Sequence, residues 1–294
     1  MDRRAFVGLL GITALHRPLN PARRAPRWIE RWSWAMGQTV HIQLYAESES
    51  MGLECAAEAL AELRRVEGRL SVFDDASDLS ELNRQAGRRP VRVSDDLVAV
   101  LTAAERARTG TDGAFNVAVE PLMRAWGFRA ERPAEPGAGE LAEAREAVRT
   151  AVVMIDGGRV ALPNAHTRLD LGGIGVGYGL DRMAAVLRRR GIAQALLDVS
   201  GDMMAIGAPP GEQGWRVAIA GSAGGVGTDE RVLRDAALAT SANTVQVRHY
   251  GSLTVGHVMD PGTGTSARGR EQATVVAASA IRADVLSTAA LVRR

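Results

Sequence analysis

Asp170-Leu-Gly-Gly-Ile-Gly-Val-Gly-Tyr-Gly-Leu-Asp181 is the stretch on which the fold reading turns. An acidic residue opens a run of alternating glycines, and Leu180, Met183, Ala184 and Leu187 then recur at helical spacing. Two short strands are expected just upstream, near 151–155 and 159–162. Glycine carries no Cβ, so backbone at such a turn can approach a ligand closely. The free N–H groups at a helix start suit a phosphate. Two generic phosphate motifs do not fit. With Gly173 and Gly175 as the first glycines of G-x-G-x-x-G, Tyr178 takes the third place; with Gly175 and Gly177, Leu180 does. A P-loop needs Gly-Lys-Ser/Thr, and the chain contains no lysine. Two readings stand for the segment alone: a site for a phosphorylated cofactor, or a turn that packs a helix tightly on a sheet.

Outward from this run, the predicted elements mix without a regular βαβ alternation. Residues 39–46 alternate like a half-buried strand, and 51–70 show apolar residues at helical spacing. Further helices are expected over 94–109, with Ser94 as N-cap, over 120–128 with a stop at Gly127, and over 178–190 with Gly191 at its end. Strands then dominate, near 194–199, 203–207, 215–220, 236–240, 245–250 and 274–279. A helix over 281–293 closes the chain, and 131–139 reads as a surface loop. The pattern predicts an α+β fold with no internal repeat and no transmembrane helix. No linker divides residues 32–294, so they are expected to form one domain.

Composition places the chain among ordinary globular proteins, with 46% hydrophobic and 24% charged residues over 294 positions. The net charge of +2 is uneven. Residues 1–31 hold seven arginines against Asp2 and Glu30. The basic pI of 9.2 therefore reflects the N-terminus, and no nucleic-acid partner is expected. Arg3-Arg4 precede an apolar run too short to span a bilayer. This fits a twin-arginine export signal, with residues 16–31 as a linker rich in Arg and Pro. The location expected is periplasmic or on the cell surface. The single cysteine, Cys55, excludes an intrachain disulfide and reads as a small buried hydrophobe.

Several segments carry chemistry. Asp284 and Thr288 are four apart and share a helix face. A carboxylate, a hydroxyl and waters are what Mg²⁺ over phosphates requires; a plain helix start with a buried Thr is the other reading. His257 ends a strand before a loop with Asp260-Pro261 and Gly264. A lone histidine is more often structural, and this loop setting brings the functional reading level with the structural one. Thr240-Ser241 and Gly201-Asp202 offer polar groups at strand ends. Gly113 to Phe128 combines a polar turn at Asn116 with Trp126 and Phe128. Ser77 or Ser80 opens a helix behind Phe73.

Taken together and in this order, these segments resemble the ApbE family of flavin transferases (FAD:protein FMN transferases), from about Met36 to Thr288. The resemblance implies a single T-fold-related α+β domain with a mixed, mainly antiparallel sheet. It implies transfer of the FMN half of FAD, with Mg²⁺, to a Thr or Ser hydroxyl of an acceptor flavoprotein, releasing AMP. The membrane would be met only through acceptor proteins. Met36 and Phe73 would contact the flavin, with Phe73 in place of the family's usual Tyr. Ala114, Phe115 and Asn116 would line the FAD site, Asp170 would bind FAD, and Met259 would contact it. Gly173, by its carbonyl, and Asp284, Ser287 and Thr288 match the metal positions. His257 matches the histidine that helps activate the acceptor. Val176 stands where the family has Lys or Glu, Asn116 where it has Asp, Ala118 where it has Thr, Glu120 and Ala242 where it has Gly. Two alternatives use the same site: hydrolysis of FAD to FMN and AMP, and FAD binding without turnover.

Overall fold

The structure, a computed structural model, describes residues 25–130, 132–219, 229–268 and 271–293. The expected export signal and residues 16–24 of the expected linker lie outside that range. Six strands form the central sheet in the order β1 (Arg27–Ala35), β2 (Gln38–Ala46), β6 (Ala195–Val199), β7 (Asp202–Ile206), β10 (Ala237–Ala242) and β13 (Gln272–Ala277). Every neighbouring pair is antiparallel, as the mainly antiparallel expectation required. Three small sheets flank it: β3 (Val91–Arg92) with β5 (Arg159–Ala161) and β4 (Met154–Asp156), β8 (Trp215–Ile219) with β9 (Asp229–Leu233), and β11 (Val247–Tyr250) with β12 (Leu253–Gly256).

Helices α1 (Glu49–Leu70), α6 (Gly175–Arg189) and α7 (Ala280–Val292) pack with this sheet. The glycine run feeds α6, whose Leu180, Met183, Ala184 and Leu187 are completely buried with Leu63 of α1 and Leu44 and Leu197 of the sheet. Each large apolar side chain buried this way contributes about 1.5–3 kcal/mol. A second core joins α3 (Asp95–Gly110) and α2 (Asp78–Arg84) to the segment Leu169–Ile174. A third holds α4 (Glu120–Ala125) and α5 (Ala138–Arg149). Ser94 and Ser77 cap α3 and α2 as expected, accepting from Leu97 N and Ser80 N.

Several elements depart from the sequence reading. Residues 27–31, read as linker, are the first half of β1; their arginines mask a strand whose Trp28, Trp32 and Trp34 alternate onto one face. Among the described residues β1 is also an edge strand, paired only with β2, and Trp32 and Trp34 are 64% and 62% exposed. Met36-Gly37 follows this strand directly. It forms the two-residue turn between β1 and β2, both residues at positive φ (54° and 67°), as a type I′ hairpin demands. Helix α5 went unread because its buried face is mainly Ala144, Ala147 and Val148. Strand β9 is short and opens on Asp-Glu-Arg, and β12 has only four residues, Leu-Thr-Val-Gly.

Candidate functional site

Two walls meet at the glycine run. Asn83 grips the segment before it, donating to Leu169 O at 2.9 Å and accepting from Leu169 N at 2.8 Å. Asp170 N donates to Val117 O at 2.8 Å, which lays the run beside residues 114–119. Gly173 then lies where a Cβ would come within 3.0 Å of Thr288 Oγ1 and 3.3 Å of the Phe115 ring. Two turns of chemistry separated by more than a hundred residues are thereby brought together. Gly177 N donates to Asp284 Oδ2 at 3.0 Å. Asp181 caps α7, accepting from Ala280 N at 2.9 Å and Ile281 N at 3.0 Å; the nominal cap, Ser279, makes no side-chain bond.

Around Asp284 the oxygens cluster. Ser241 Oγ lies 2.8 Å from Ser287 Oγ and 3.2 Å from Thr288 Oγ1, and Ser287 Oγ donates to Asp284 O at 2.9 Å. Asp284 is 4% exposed. Burial, and then the neighbouring Asp202 charge, push its carboxyl well above the ordinary carboxylate range. Burial pushes Asp202 up to about 6, with Asp198 adding to the shift. Carboxylates crowded in a buried place ionise reluctantly unless a cation joins them. No three His, Cys, Asp or Glu side chains group into a metal cage among the described residues. One carboxylate with hydroxyl and carbonyl oxygens is instead a hard, open donor set, of the kind Mg²⁺ completes with substrate phosphates and water. The residues present fit that ion.

The second wall holds Phe73, Arg129, Asp170 and His257. Phe73 is 78% exposed, and the Arg129 guanidinium sits 4.8 Å from its ring centroid. Arg129 pairs with Asp170. His257 lies edge-on to Phe128 at 6.4 Å, and its Nδ1 is buried without a hydrogen-bond partner among the described residues. Burial, reinforced by the Arg129 charge, lowers the pKa of His257, so the imidazole is neutral at pH 7. Trp126 Nε1 donates to Gly264 O at 2.9 Å and ties the histidine loop to α4.

The remaining candidates sit less openly. Met36 and Ala114 are partly buried against the core. Asn116 caps its own turn, accepting from Ala118 N at 2.9 Å. Val176 packs on the sheet core. Met259 is 4% exposed in the third core, so its side chain serves packing as the loop now stands. Arg129 was reached by no motif. Ser241 and Asp202 belong to quoted motifs, but nothing in the sequence says that they face α7.

The family model described as the ApbE family matches residues 36–294, and the chain belongs to that family. Its relatives carry a more particular name. The FAD:protein FMN transferase of Vibrio cholerae serotype O1 is 28% identical over 266 residues, 87% of this chain and 79% of that protein. A Klebsiella pneumoniae protein of the same name is 27% identical over 297 residues, covering 98% and 84%. Among solved structures, the ApbE protein of Thermotoga maritima aligns with a TM-score of 0.82 at 28% identity, over 90% of this chain and 87% of that one. The flavin transferase ApbE from Vibrio cholerae aligns with a TM-score of 0.78 at 27% identity, over 91% and 87%.

Proposed function

We propose that this protein transfers the FMN half of FAD to a Thr or Ser hydroxyl of an acceptor flavoprotein. The observation that carries the reading is the meeting of Gly173, Asp284, Ser287 and Thr288 around one cluster of oxygens in a chain of the ApbE family. Asp284, Thr288, Ser287 and the Gly173 carbonyl would hold Mg²⁺. When bound, that ion neutralises charge on the pyrophosphate and on the departing phosphate. The glycines at 172–177 let backbone approach the phosphates. Phe73 offers an exposed ring for the flavin to stack on. The neutral His257 imidazole takes the proton of the acceptor hydroxyl. The hydroxyl oxygen then bonds to the FMN-side phosphorus, the bond to the AMP phosphate breaks, and AMP leaves.

The reading extends to place. Arg3-Arg4 before an apolar run supports export to the periplasm or cell surface, with the membrane met through acceptor proteins. Fractionation of the full chain with and without Arg3→Lys/Arg4→Lys tests it; a wild type retained in the cytoplasm refutes it.

The activity test is incubation with FAD, Mg²⁺ and an acceptor flavoprotein domain, followed by in-gel flavin fluorescence. Fluorescent acceptor and released AMP are expected, and Asp284→Ala should abolish both together with the Mg²⁺ dependence. AMP release without acceptor labelling would assign hydrolysis instead. FAD binding with no AMP after long incubation would assign a binder without turnover.

A further inference from the structure

Arg129 joins three of the candidate residues. Its side chain is 12% exposed. Its Nε donates to Asp170 Oδ2 at 2.7 Å, Nη2 donates to the same oxygen, and Nη1 donates to Phe128 O at 3.1 Å. The other Asp170 oxygen accepts from Gly172 N at 2.9 Å. Both carboxylate oxygens are therefore engaged by the protein, and Asp170 is 7% exposed. A carboxylate so occupied is a poor group to meet an anionic ligand. The guanidinium, by contrast, keeps one N–H on Nη1 and one on Nη2 without a protein partner among the described residues. It lies against the exposed Phe73 ring and within electrostatic reach of His257. It thus stands between the surface offered to a flavin and the group that would handle the acceptor proton.

We infer that Arg129 binds an anionic oxygen of the flavin's phosphate, and that Asp170 is a positioning residue that orients the guanidinium. The inference rests on the proposed flavin reading. Arginine suits the task because its planar fork holds its direction while two donors remain for a phosphate. Val176, which packs on the sheet core, supplies no polar contact of its own.

The test compares binding of FAD, FMN and riboflavin, which lacks the phosphate, to the full chain with Mg²⁺ present. Wild type, Arg129→Lys, Arg129→Met, Asp170→Asn and the double variant Arg129→Met/Asp170→Asn are measured, with thermal unfolding beside each. Arg129→Met should weaken FAD and FMN by roughly tenfold to a hundredfold, the range of a charge-assisted hydrogen bond. Riboflavin binding should hardly change. Arg129→Lys should keep part of the phosphate affinity, and Asp170→Asn should lose some of it as the guanidinium loses its orientation. The double variant leaves no orphaned buried carboxylate, so it reports the same loss if the single variant fails to fold. Equal loss of FMN and riboflavin would mean that Arg129 only holds Phe73, and would overturn the inference. Unchanged FMN binding in the double variant would overturn it as well. A wild type that binds none of the three flavins would instead bring down the flavin reading itself, a pattern distinct from both.

Discussion

Replacing Gly177 with alanine adds one methyl group at the place where α6 meets α7. The new Cβ would stand 2.5 Å from Ala280 O, 2.7 Å from Ala280 C and 2.8 Å from Ile281 Cα. All three are backbone atoms, so no side chain can rotate aside. Ordinary contact begins at 3.4 Å; the two helices must therefore part by about 0.9 Å, far more than close packing absorbs freely. The same movement stretches the Gly177 N–H bond to Asp284, now 3.0 Å, and the Asp181 cap on Ala280 and Ile281. Overpacking costs about 1–3 kcal/mol. Weakening a hydrogen bond to a charged group adds part of about 1.5–3 kcal/mol. The helical advantage of alanine over glycine returns about 0.5–1 kcal/mol. A net loss of about 1–4 kcal/mol follows, which lowers the melting temperature by roughly 2–7 °C in a chain of this size. Thermal and urea unfolding of the two proteins measure it. Gly175→Ala is the control two residues earlier, since a Cβ there meets nothing within 4 Å; it should be neutral or stabilising. If Gly177→Ala melts as high as wild type, the close backbone approach between α6 and α7 is wrong, and with it the joining of the two halves of the site.

Other outcomes follow from the site's electrostatics and exposure. Asp202 has a folded pKa of about 6 against an ordinary 3.8, so the fold favours its neutral form. That contribution is whole below pH 3.8 and lost as pH rises through 6. Asp202→Asn keeps the acceptor for Thr240 N and should raise the stability of the metal-free protein at pH 8 by about 1–3 kcal/mol, with the two proteins converging near pH 4; parallel curves of melting temperature against pH would refute the burial argument. His257 is shifted the other way, below 6.5, so its burial costs nothing above that pH and destabilises the fold as pH falls below it. His257→Gln should flatten that acid-side decline, and an unchanged slope would mean that the ring is not desolvated. Phe73→Ala should leave stability within about 0.5 kcal/mol, because the ring is exposed, yet weaken FAD roughly threefold to tenfold in a fluorescence titration; unaltered FAD affinity would remove Phe73 from the flavin site.

The elements with strong periodicity were legible before any coordinates. Helix α6 announces itself through Leu180, Met183 and Leu187, and α3 through Ser94 and the apolar positions behind it. The glycine run was readable as a close approach, but not what approaches: Gly177 meets the α7 backbone and Gly173 meets Thr288 and Phe115. Part of the run therefore serves tight packing and part faces the oxygen cluster, so both readings of the segment hold at different residues. Asp181 illustrates the limit. Its cap on α7 spans a hundred residues of sequence, and no local pattern marks an aspartate in mid-helix as the N-terminal cap of a different helix. Arg129 was hidden for a related reason. Its partner Asp170 is distant along the chain, and an arginine in this arginine-rich sequence carries no signal of its own.

The open edge of β1 bears on how copies of the chain meet. Nine residues there leave one row of backbone donors and acceptors unpaired among the described residues, beside exposed tryptophans, a combination that invites strand-to-strand association. The strand runs from Arg27 to Ala35, so Arg31 is its midpoint. Two copies pairing edge to edge in the centred antiparallel register would set Arg31 directly against Arg31. Like charges directly opposed across a strand pair are unfavourable, and the register that would bury the most backbone is the one this residue opposes. A single central arginine thereby opposes the one register that would use the whole tryptophan-bearing edge.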